Sequence, residues 1–102
     1  MLLTMLLALF AGFMAGNGLP YYLTGHFGAE HRMPFGNSPT GNVIVGWIAF
    51  LLAGIAWYFV DTRSYPVLAY LFAALGLLIV GLIHARVWQG NPPFELHLFQ
   101  RK

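Results

Sequence analysis

The sequence predicts an all-α integral membrane protein with three transmembrane helices and a long ordered loop between the first and second. Two observations predict it. Composition is the first: of 102 residues, 59% are hydrophobic and 8% are charged, with a mean hydropathy of +0.69. A soluble globular domain carries about a quarter charged residues. Distribution is the second: the apolar residues gather in three charge-free runs, residues 2–23, 43–60 and 65–83. Each is near the roughly 20 residues a helix needs to cross a bilayer. The runs are apolar all round rather than along one stripe, which in so short a chain points to lipid as the solvent.

Helix one is expected over residues 2–19. Pro20 lacks an N–H and crowds the carbonyl four residues back, so the helix is expected to end or kink there. Ala8, Gly12 and Gly16 recur every four residues, with Ala11 and Ala15 beside them. Small residues at that spacing let two helix backbones approach closely in lipid, and these form the clearest packing face in the sequence. The run opens without Lys or Arg and shows no Ala-x-Ala site before Asn17, so it reads as a retained helix rather than a cleaved signal peptide.

Residues 24–42 form the long connection. They are rich in Gly and Pro, which disfavours a helix or a regular strand. Phe27, Met33 and Phe35 interrupt the polar residues, so an ordered, partly interfacial loop is expected. Helix two is expected over 43–60 with Asn42 as its N-cap, and Ala49 and Ala53 give it a small-residue face. The short connection at 61–65 predicts an antiparallel hairpin of helices two and three. Helix three is expected over 66–86, with Pro66 in its first turn. The tail, 87–102, begins with Trp88-Gln89-Gly90-Asn91-Pro92-Pro93 and then alternates apolar and polar residues, a pattern of extended chain. The whole is one membrane domain.

Charge gives the orientation. With three spans, the first connection and the C-terminus share a side that carries Arg32, Arg86, Arg101 and Lys102, against Arg63 on the other. Cytoplasmic loops are enriched in Lys and Arg, so the N-terminus is expected outside and the C-terminus in the cytoplasm. Tyr21, Tyr22, Trp47 and Trp88 then mark the inner interface, and Trp57, Tyr58 and Tyr65 the outer one. The net charge of +2 reads as topology, and no nucleic-acid partner is expected.

Chemistry has few places to reside. There is no cysteine, and the cores of the runs hold no Asp, Glu, Lys, Arg or His. Transporters and pumps commonly place such groups inside the membrane, where they are costly and therefore functional. Ser38 and Ser64 have no evident base to activate them. No catalytic residue and no cofactor is expected. Asn17 is the one amide near the end of a run, and a bond across helices is the favoured role for it. Beside Gly18 and Pro20 it is also a candidate for an unwound ligand or transport pathway. His26, Glu30, His31 and His84 fall on one side and form a candidate polar or metal-binding group, although their spacing matches no metal motif. Histidines bonding backbone or lipid phosphate are the simpler reading.

Gly16-Asn17-Gly18-Leu19-Pro20, then His31-Arg32-Met33-Pro34-Phe35-Gly36, then Asn42 with Gly46-Trp47, resemble a family of small bacterial membrane proteins. These share Gly-Asn-x-x-Pro, a loop with Pro-Phe-Gly, and an Asn before a Gly/Trp pair. Tyr21 stands where that family often has His. The resemblance covers helix one to early helix two. It implies a bacterial inner (plasma) membrane location and supplies no activity or cofactor. The function expected is that of a non-enzymatic accessory subunit or homo-oligomeric structural component of a membrane complex. Its partners would be the lipid bilayer and either further copies of itself or another membrane protein. An oligomeric transporter or channel for ions or small molecules is the alternative.

Overall fold

The computed structural model describes residues 1–26, 28 and 38–87. These form three α-helices, α1 (Leu2–His26), α2 (Pro39–Tyr58) and α3 (Pro66–Val87). Each is long and apolar enough to cross a membrane.

The largest departure from expectation is α1, which does not end at Leu19 but runs through Pro20 to His26. Proline removes one backbone bond, and in an apolar helix that loss is tolerated where neighbouring helices hold the segment. Here they do: beyond Pro20, Tyr21, Thr24 and Gly25 are all buried. A Cβ on Gly25 would collide with the Pro39 carbonyl oxygen of α2. The expected 24–42 loop is therefore helical at both ends. Its middle, residues 27 and 29–37, lies outside the described residues, as does the tail beyond Val87.

The start of α2 also differs. Ser38, not Asn42, caps it: Ser38 is extended (φ −138°, ψ 159°) and its Oγ accepts the Gly41 N–H at 3.0 Å. Pro39 follows at the first helical position, where its missing N–H costs nothing and its fixed φ fits. Asn42 lies one turn inside and is fully buried. At the other end α2 stops at Tyr58, where the Phe59 N–H turns back to the Ala56 carbonyl at 3.1 Å.

α2 and α3 do not form a packed hairpin. Both pack on α1, and they do not pack on each other along their lengths. On α1, Gly18 and Gly25 meet α2, whereas Leu9, Gly12, Phe13 and Gly16 meet α3. At 3.6 residues per turn these two sets lie on nearly opposite sides of α1, so the helices form a layer in the order α2–α1–α3. α2 and α3 approach each other at the connection end, where the Trp57 and Tyr70 rings lie 5.4 Å apart. Ala8 of α1, Val60 of the connection and Ala69 of α3 cluster there, with Trp57 of α2 packed against them.

Small residues make up most of the interior, with Tyr21, Val60 and Val80 the larger apolar side chains buried among them. Ala8, Ala11, Ala49, Ala53, Ala56 and Ala69 are buried, while Leu51, Ile55, Leu71, Leu78 and Leu82 are exposed. In water this would be inverted, because burying large apolar side chains is the main driving force of folding. In lipid that force vanishes between helices, and close backbone packing over small residues replaces it. The expected packing residues Ala8, Gly12, Gly16, Ala49 and Ala53 are all buried. Gly12 abuts the Ala73 carbonyl of α3, and a Cβ on Gly16 would sit 2.5 Å from Val80 Cγ1. The stripe thus joins α1 to α3 within one chain.

Candidate functional site

A group of polar side chains lies toward the end of the layer where α1 finishes and α2 begins, while buried Thr4 lies at the other end. Asn17, Tyr21 and Thr24 are spaced i, i+4, i+7 on α1 and so share one face. α1 and α3 run parallel, since Ala8 clusters with Ala69, Gly12 meets Ala73 and Gly16 meets Val80. That direction carries Asn17 to His84, whose Nε2–H donates to Asn17 Oδ1 at 3.2 Å. Asn17 Oδ1 can only accept, so the bond requires a proton on Nε2 and is compatible with either a neutral or a charged ring. Both residues are half-buried.

Tyr21 is 2% exposed and Thr24 fully buried. The Thr24 hydroxyl has no hydrogen-bond partner among the described residues. Asn42 enters the same end from the first turn of α2. Gly25 sits against Pro39 and Val43 there, so the α1 and α2 backbones are nearly in contact beside these polar groups.

The structure brings together only part of the sequence-derived site. Asn17 and His84 form a bonded pair across α1 and α3. Pro20 lies inside a continuous helix and opens no unwound segment. His26 is exposed, and its ring stacks on Tyr22 at 5.6 Å with 17° between planes. Glu30 and His31 lie outside the described residues. Among the described residues no three His, Asp or Glu side chains gather at metal-binding distance. What the described geometry offers is a hydrogen-bonded clamp between two helices, with no nucleophile beside a base.

Sequence reading missed a second polar tether. The Asp61 N–H donates to Thr4 Oγ1 at 3.1 Å, pinning the start of α1 to the connection between α2 and α3. A signal for it exists, because Thr4 is the only hydroxyl residue among residues 2–19. Of the residues singled out by the sequence motifs, Gly16, Gly18, Asn42 and Gly46 are buried and Asn17 bonds His84, Leu19 is exposed, and residues 31–36 lie outside the described residues. Trp47 points outward. The chain matches no family model, no curated protein and no solved structure.

Proposed function

We propose that the protein is a small, non-enzymatic component of a bacterial inner membrane that works by lateral helix association. It would act either as an accessory subunit of a larger complex or as a self-assembling structural element, with its N-terminus outside and its C-terminus in the cytoplasm. One observation supports this most directly. The small residues of α1 are spent on packing inside the chain, yet α3 keeps an outward stripe of Ala74, Gly81 and Ala85, all exposed. A Cβ on Gly81 would meet nothing within 4 Å. Open small-residue surface on a helix of this kind is where another helix can approach closely.

Native mass spectrometry of protein extracted gently from its own membrane tests the reading. A fixed multiple of one chain, or a mass containing a second polypeptide, is expected. Gly81→Leu should reduce that species while leaving the three-helix fold intact. A monomer in the wild type, or an assembly indifferent to Gly81→Leu, would overturn it.

The transporter or channel reading rests on the Asn17–His84 pair, a polar contact between helices of membrane-crossing length. It predicts flux in liposomes that Asn17→Leu abolishes. α1 runs unbroken through Pro20, so a broken helix lends this reading no support.

A further inference from the structure

We draw no further inference here: the strongest candidate, the outward stripe of Ala74, Gly81 and Ala85 on α3, already serves the proposed assembly, and nothing in the structure shows what covers it.

Discussion

Gly18 of α1 and Gly46 of α2 face each other reciprocally. A Cβ on either residue would lie 2.8 Å from the carbonyl oxygen of the other. Each Cα–H therefore points at a carbonyl across the crossing, a contact worth about 0.5–1 kcal/mol, and only glycine permits it from both sides. Gly46→Ala should destabilise the fold by about 1–3 kcal/mol, the usual cost of overpacking. The new methyl would sit 2.6 Å from the Tyr22 backbone nitrogen, which cannot move aside cheaply. Gly54 on the same helix is the internal control, because a Cβ there would meet nothing within 4 Å. Gly54→Ala should be neutral or stabilising by up to about 1 kcal/mol, since alanine loses less chain entropy in a helix. Reversible unfolding in mixed micelles measures both, and equal effects would show that the crossing is not tight.

Asn17 and His84 should prove energetically coupled. Interhelical hydrogen bonds in membranes are worth about 0.6–2 kcal/mol. A double-mutant cycle with Asn17→Leu and His84→Leu isolates the pair, because each substitution removes the bond and leaves an apolar side chain of similar reach. The expected coupling falls in that range. Additive single effects would mean that the 3.2 Å contact contributes no net energy.

How much of this was legible in the sequence depends on which rule governed each residue. The number of helices followed from hydropathy, a property summed over many positions. The end of α1 did not, because Pro20 is a local signal that packing overrode. A four-residue spacing exposed Ala8, Gly12 and Gly16, but α1 carries a second register. Thr4, Ala11, Gly18 and Gly25 recur every seven residues, and all are buried. That heptad marks a second helix-contact face and was there to be read. The sandwiching of α1 between its neighbours was not, since a short connection makes two helices neighbours in sequence without making them pack. The site divided in the same way. Asn17 stands out as a lone amide, and three spans already make α1 and α3 parallel, but that it meets His84 depends on the rotation and register of the α1–α3 contact.

Asp61 should titrate at a lower pH than an ordinary aspartate. Its Oδ1 accepts the Ser64 N–H at 3.0 Å. That backbone bond, helped by the Ser64 hydroxyl and the Arg63 amide, favours the carboxylate and holds the pKa below 3.8. A depressed folded pKa means that its contribution to the turn is fully present above 3.8 and is lost as pH falls through the lower folded value. The side chain is fully exposed, so the change should stay local. In an NMR titration the Ser64 amide shift should follow the Asp61 carboxyl, with a midpoint below 3.8, and Asp61→Asn should abolish it. A midpoint at or above the ordinary value would remove the proposed cause.

The backbone of Asp61 gives a sharper test than its side chain. Its N–H is satisfied by Thr4 Oγ1 across 57 residues of sequence, in a partly buried position. Thr4→Val preserves shape and removes the acceptor, leaving an orphaned donor that costs about 1–3 kcal/mol. Partial access to water should keep the loss near the lower figure. Thr4→Ser retains the oxygen and should recover most of the stability despite losing a methyl. Faster hydrogen exchange at the Asp61 amide in Thr4→Val, with normal exchange in Thr4→Ser, would tie the effect to this one bond. Equal exchange in both variants would mean that another group, or water, satisfies that amide, and that α1 is held at this end by the Ala8, Val60 and Ala69 contact alone.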